Sequence, residues 1–268
     1  MSKIKQNKIT FFLILTAIII TFSSITILSL PVLFNYKSKV EKIEKNFYNN
    51  FKLYMKTSGI ISYKPFPKPH LLVENASLSL SSKSNNNTLI NTSNLKIFIS
   101  LRDIYLRSFK NFISSEISKT NLKFKISQIK GIRKHLYEKV NKPIVLNDCK
   151  IFIENKNGEV ILISPIKKIF YKINNKTKIK NLMVEGKIFG IDFKSDWRRS
   201  YDKPKISLHN IDLFNPNIEI RNLLERQDIS TFKGKTEILY AQDKLEYNFS
   251  FDKNKIKINS PNKKNINF

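Results

Sequence analysis

Apolar and polar positions along this chain follow three rules in succession. From Ile9 to Phe34, 26 positions pass without a charged residue. A hydrocarbon core about 30 Å thick needs roughly 20 apolar residues in helix, so this stretch predicts a membrane-spanning helix. The hydroxyls of Thr16, Thr21, Ser23 and Ser24 can bond back to their own helix and do not disturb that expectation. Lys3, Lys5 and Lys8 also form the basic start of a signal peptide. The apolar run, however, exceeds a typical h-region and no A-x-A-like cleavage site follows, so an uncleaved anchor is expected. After Pro31, Val40, Ile43, Phe47, Phe51 and Tyr54 recur at helical spacing, with Gly59 as the stop signal.

From His70 the period changes to two. Leu72, Ala76, Leu78 and Leu80 share one face of a first strand, and Leu95, Ile97, Ile99 and Leu101 one face of another. Between them, Ser81–Asn87 is a polar loop. Further alternating runs carry Leu122, Phe124 and Ile126; Ile151 and Ile153; Ile169, Tyr171 and Ile173; and Leu182, Val184, Gly186 and Ile188. Ile191, Phe193 and Trp197 come next, then Ile206 and Leu208; Ile218 and Ile220; Ile238 and Tyr240; and Leu245, Tyr247, Phe249 and Phe251. About a dozen such strands predict a mainly β protein. Its expected form is an N-terminal transmembrane helix followed by an elongated, curled antiparallel sheet with one apolar face and a few short helices. Only Arg102–Lys110 and Gly131–Val140 offer helices to cover that face. It must therefore close on itself as a sandwich or curl into a groove open to an apolar ligand.

Charge changes this picture little. The net charge is +27, but 41 of the 48 basic residues are lysine and alanine occurs three times, a composition typical of AT-rich coding. The lysines alternate with apolar residues instead of clustering, as on solvated strand faces, so no nucleic-acid partner is expected. Cys149 is the only cysteine and excludes an intrachain disulfide. Lysines flank the apolar helix equally on both sides, so the positive-inside rule does not orient it.

Catalytic patterns are missing. His70, His135 and His209 lack metal-ligand spacing, and neither a nucleophile elbow nor a phosphate loop is present. Asp192 and Asp196 lie four apart beside Trp197-Arg198-Arg199, where solvated strand charges outweigh a carboxylate pair. No enzyme activity, metal or cofactor is expected.

One segment is more distinctive. Gly59 leads through Tyr63-Lys64-Pro65-Phe66-Pro67-Lys68-Pro69-His70-Leu71-Leu72 to Asn75 and Leu78, a proline-rich entry to a strand. With the anchor and short helix before it, and Ser100-Leu101-Arg102-Asp103-Ile104 after it, this order resembles the N-terminal region of AsmA-like proteins. Leu146–Glu154 with Asn157-Gly158, Val184–Phe193 and Phe232-Lys233-Gly234 resemble later repeats of that family. The anchored jelly-roll proteins of lipopolysaccharide transport share the layout but not the proline-rich segment. The AsmA-like resemblance implies a single-pass inner-membrane protein with its bulk in the periplasm. Its groove would bind or convey phospholipid toward the outer membrane and support envelope assembly, with other envelope proteins as possible partners. The expected organisation is an anchor at 1–35, a connecting helix at 36–58 and a β-groove domain at 59–268. Its candidate lining is Leu95, Ile97, Ile99, Leu101, Leu122, Phe124, Tyr247, Phe249 and Phe251. The chain is short for the family, which puts bridging of the whole periplasm in doubt. The alternative is a closed sandwich that serves envelope structure or assembly through protein contacts.

Overall fold

The computed structural model describes residues 2–81, 88–200, 206–227, 231–252 and 255–259. The protein is mainly β, with an N-terminal apolar helix followed by a large, unclosed, curled sheet and few helices. Helix α1 spans Ser2–Ser29, and Thr10–Leu33 is long and apolar enough to cross a membrane. Thr16, Thr21 and Ser24 donate to carbonyls four residues back, and Thr26 does the same. Side-chain hydroxyls inside an apolar helix are thereby satisfied without water.

Helix α2, Val40–Phe51, buries Ile43, Phe47 and Phe51 completely against the sheet. It ends earlier than its apolar stripe suggests. Lys52 turns left-handed (φ 56°) and its N–H closes on the Tyr48 carbonyl, so Tyr54 opens a strand instead. Gly59, expected to stop this helix, lies further on.

Eight short strands follow: β1 (Tyr54–Thr57), β2 (Ile61–Lys64), β3 (His70–Val73), β4 (Ala76–Ser79), β5 (Thr88–Thr92), β6 (Leu95–Ile99), β7 (Phe112–Ser118) and β8 (Asn121–Lys125). They act as four bent strands. β2-β3-β6-β7 pair in order on one side of the bend and β1-β4-β5-β8 on the other, all antiparallel. Ser82–Asn87, within the polar loop of the sequence, lies outside the described residues. Helix α3, Leu101–Tyr105, joins β6 to β7, and α4, Ile126–Lys139, leads from β8 to β9 (Ile144–Glu154). The crossover makes β9 parallel to both β7 and β8. From β9 the sheet is an antiparallel meander: β10 (Val160–Asn174), β11 (Ile179–Ile188), β12 (Ile191–Ser200), β13 (Ile206–Phe214), β14 (Ile218–Arg226), β15 (Phe232–Tyr240), β16 (Asp243–Asp252) and β17 (Lys255–Asn259).

The bend is a crease crossing successive strands. Across it the Glu74 N–H reaches the Ile60 carbonyl at 3.0 Å and the Lys150 N–H reaches the Thr120 carbonyl at 3.0 Å. Asn75, Lys119 and Asp148 adopt φ of 50°, 53° and 51° there. A Cβ on Gly59 would stand 2.2 Å from the Glu74 carbonyl oxygen, so only glycine permits the two strands to approach. From β3 to β4, from β7 to β8 and within β9, one residue is gained at the crease and the inward set slips by one. Leu71 and Val73 give way to Ala76 and Leu78, Ile117 to Thr120 and Leu122, and Leu146 to Cys149. A continuous alternation over His70–Leu80 had placed Leu72 inward; it lies on the opposite face.

The core fills the crease. Ile43, Phe47 and Phe51 of α2 meet Leu71, Leu95, Ile97, Ile99, Phe112 and Ile117 of the sheet, while Val140 and the half-buried Ile132 and Leu136 extend it along α4. The His135 Nε2 donates to the Lys52 carbonyl at 2.7 Å and ties α4 to the end of α2.

Candidate ligand-binding face

The registers of β12–β16 order the inward side chains into rows running across the strands. One row is Ser195, Ile211, Ile220, Ile238 and Leu245. Two residues along, Phe193, Leu213, Ile218 and Tyr240 form a second apolar row. On the other side come Leu224, Gly234 and Phe249, then Phe232 and Phe251. These side chains are half-buried to exposed, with Leu245 at 42% and Phe251 at 40%. No helix follows α4 among the described residues to cover them.

Between the apolar rows lies a polar one: Trp197, His209, Asn222, Thr236 and Tyr247. Trp197 stacks on His209 with centroids 5.1 Å apart. Ser195 Oγ and His209 Nε2 share a 2.9 Å hydrogen bond, and Thr236 Oγ1 donates to Asn222 Oδ1 at 2.7 Å. Burial holds the His209 ring below its ordinary pKa against the opposing pull of Asp196, so the row carries no charge near neutrality.

Helix α4 marks where this face begins. Tyr137 packs on Trp197 at 5.7 Å, and the Arg133 guanidinium lies 5.1 Å above the same indole. Tyr171 donates its hydroxyl to the Leu136 and Val140 carbonyls. Lys180 Nζ donates to the Tyr137 and Val140 carbonyls at 2.6 and 3.3 Å, so a buried ammonium neutralises the carbonyl end of the helix. Beside it, a cleft of about 520 Å³ is lined by Tyr137, Asn141, Ile173, Lys180 and Arg199 among others.

The nine lining residues expected from sequence divide into two groups. Leu95, Ile97, Ile99 and Leu122 are almost wholly buried in the closed core; Phe124 is half-buried against it, and Leu101 opens α3. Tyr247, Phe249 and Phe251 stand together on the uncovered face. The polar row was not foreseen, because Ile206 and Leu208 were read as the inward residues of β13. They point outward, 47% and 44% exposed, and the inward set is Ser207, His209, Ile211 and Leu213. A signal was present: only that phase puts Ile211 in line with Ile220 and Ile238.

The opposite face is ionic. Lys235 and Lys244 each contact Glu237 and Glu246 at 2.5–3.3 Å. Asp192 pairs with Lys187 and Asp196 with Arg198, so the two carboxylates serve separate ion pairs. Among the described residues, no three His, Cys, Asp or Glu side chains converge as a metal site. Neither protein-family models nor curated proteins give a match to this chain.

Proposed function

We propose that this protein is a non-enzymatic, membrane-anchored lipid-binding protein whose uncovered β12–β16 face holds phospholipid acyl chains. The observation that carries this reading is the set of apolar rows, above all Ile211–Ile220–Ile238–Leu245, that meet no covering element among the described residues. Contiguous exposed apolar surface of this kind calls for an occupant, and rows without a fixed ionic group suit a chain that slides. The resemblance to AsmA-like proteins adds the direction of the proposal: an inner-membrane anchor, a periplasmic bulk, and movement of phospholipid toward the outer membrane in support of its assembly. The lining set of this proposal is Tyr247, Phe249 and Phe251 with Ile211, Ile220, Ile238 and Leu245. The competing assembly role presumed a closed sandwich, and the described sheet is not closed.

The test is lipid analysis of the full-length protein purified in detergent, with photo-crosslinkers at Ile238 and Phe249 in cells. Phospholipid captured at both positions is the expected result, with Ile238→Asp lowering the bound amount while the fold persists. Crosslinkers that capture no lipid in a folded protein refute the reading. A reporter fused after Phe268 that is active only in the cytoplasm refutes the periplasmic placement.

A further inference from the structure

Pro31 stands four residues after Ile27, so the Ile27 carbonyl of α1 lacks the backbone N–H that an α-helix would bring to it. The Tyr105 hydroxyl, from α3 of the β domain, donates to that carbonyl. Phe34 packs edge-on against Tyr105 at 6.0 Å, the Arg107 guanidinium lies 4.8 Å over the Phe34 ring, and Tyr36 donates to the Pro31 carbonyl at 2.8 Å. The junction between helix and domain is therefore a packed joint, not a loose linker.

Its height is set by α1. The twenty residues from Thr10 to Ser29 rise about 30 Å at 1.5 Å each and fill a hydrocarbon core of about that thickness. Ile27 then lies just inside the boundary, and Tyr105 is drawn to the same depth. Around it the domain exposes Leu106 (65%) from the end of α3 and, from the proline-rich loop at the same end of the sheet, Phe66 (62%). The Ile99 N–H reaching the Pro69 carbonyl joins these two loops. Lys64 and Lys68 lie within two residues of Phe66 along the chain, and Arg102, Arg107 and Lys110 within four of Leu106. The one acid of α3, Asp103, is turned inward onto the Ser100 and Ser108 hydroxyls.

We infer that this end of the β domain is a membrane foot: Tyr105, Leu106 and Phe66 enter the headgroup–acyl boundary of the leaflet that α1 leaves, and the basic residues around them contact anionic headgroups. Aromatic and aliphatic side chains ringed by Lys and Arg suit that layer, and a carbonyl left without a donor in lipid must be satisfied from within the protein. The inference rests on α1 spanning the bilayer.

Full-length protein in vesicles of equal phosphatidylcholine and phosphatidylglycerol tests it. A nitroxide is attached in turn through Leu106→Cys, Phe66→Cys, Ile18→Cys and Phe189→Cys; the native Cys149 is buried and escapes labelling. The labels at 106 and 66 are expected to collide more with oxygen than with a water-soluble nickel chelate. The label at 18 should be deeper still, and that at 189, in the β11–β12 turn at the other end of the sheet, fully open to nickel. Replacing phosphatidylglycerol by phosphatidylcholine should raise nickel access at 106 and 66 severalfold. Nickel access at 106 and 66 equal to that at 189, with the label at 18 deep, overturns the foot and leaves the anchor standing. Nickel access at 18 as well removes the anchor, and the foot with it. Lipid protection absent in vesicles but present in native membranes assigns this surface to a protein partner and also overturns the inference.

Discussion

Truncating isoleucines on the two parts of the sheet should separate a closed core from an open face. Ile97 of β6 has no exposed surface and pairs between Leu71 and Ser115, beneath α2. Ile97→Ala removes buried methyl groups and leaves a cavity that neighbouring strands cannot collapse into, a loss of about 2–5 kcal/mol. Ile238 is half-buried between Ile220 and Leu245, with no helix above it. With part of its area still hydrated and no closed cavity to leave, Ile238→Ala should cost about 1 kcal/mol. The same contrast holds for aspartate. At 97 a carboxylate is buried without a partner and should prevent folding, whereas at 238 it stays hydrated. Denaturant unfolding of the full-length protein in micelles reads the difference through Trp197, the single tryptophan, which sits under α4 where the two parts meet. The expected result is a midpoint shift at least twice as large for Ile97→Ala as for Ile238→Ala, with equal slopes. Equal shifts in protein stripped of bound lipid would mean that another part of the protein covers the β13–β16 face, and the argument for an acyl-chain site would collapse.

Acid should weaken the fold before carboxylates titrate. His135 and His209 are both held below their ordinary pKa by burial, so below about pH 6.5 the unfolded chain takes up protons that the folded chain refuses. Stability is then complete above about pH 7 and falls as pH drops through that ordinary value, and the double replacement His135→Gln, His209→Gln should flatten a urea-midpoint profile between pH 7.5 and 5. Glycines should respond with opposite signs: Gly59→Ala meets the Glu74 carbonyl and costs about 1–3 kcal/mol, while Gly131→Ala, in open space on α4, gains about 0.5–1 kcal/mol. Thermal unfolding of the two variants checks both. Lys180→Met strands the Tyr137 carbonyl, the Val140 carbonyl keeping the Tyr171 hydroxyl, for about 1–3 kcal/mol, and hydrogen exchange should show the last turn of α4 opening while β6 stays protected.

Period-two alternation made most of the meander legible from β11 onward, β13 excepted, because Leu182/Val184 and Leu245/Tyr247/Phe249 keep one phase over their strands. It failed where the backbone adds a residue. At Asn75 and Asp148 a left-handed residue shifts the phase without any break in composition, so a single alternation over His70–Leu80 has Ala76 and Leu78 rightly inward but Leu72 on the wrong face. Helix α2 ended early for a related reason: Lys52 adopts a conformation usually left to glycine or asparagine, and the capping signal was absent from its identity. The candidate lining could not be divided into core and open face at all. Leu95 and Phe249 look alike along the chain; what separates them is that α2 and α4 reach the first and stop short of the second.

The two faces of the meander argue for where a ligand goes. On the outer side Lys235 of β15 and Lys244 of β16 each have two carboxylates within reach on their own and the neighbouring strand. Such exposed pairs add little stability, but these four charges satisfy one another and need no ionic partner. On the inner side Ser195 is paired with His209 and Thr236 with Asn222, while the Trp197 Nε1–H has no hydrogen-bond partner and the apolar rows are covered by no element among the described residues. A ligand gains there mainly by covering hydrocarbon, since the apolar rows far outnumber the one unpaired donor, which favours acyl chains over peptides or sugars. The crease, the α2 plug and the Tyr105 joint hold the other end of the same sheet rigid. If the foot fixes that end at the bilayer surface, the uncovered rows begin within a few strands of the lipid that would fill them.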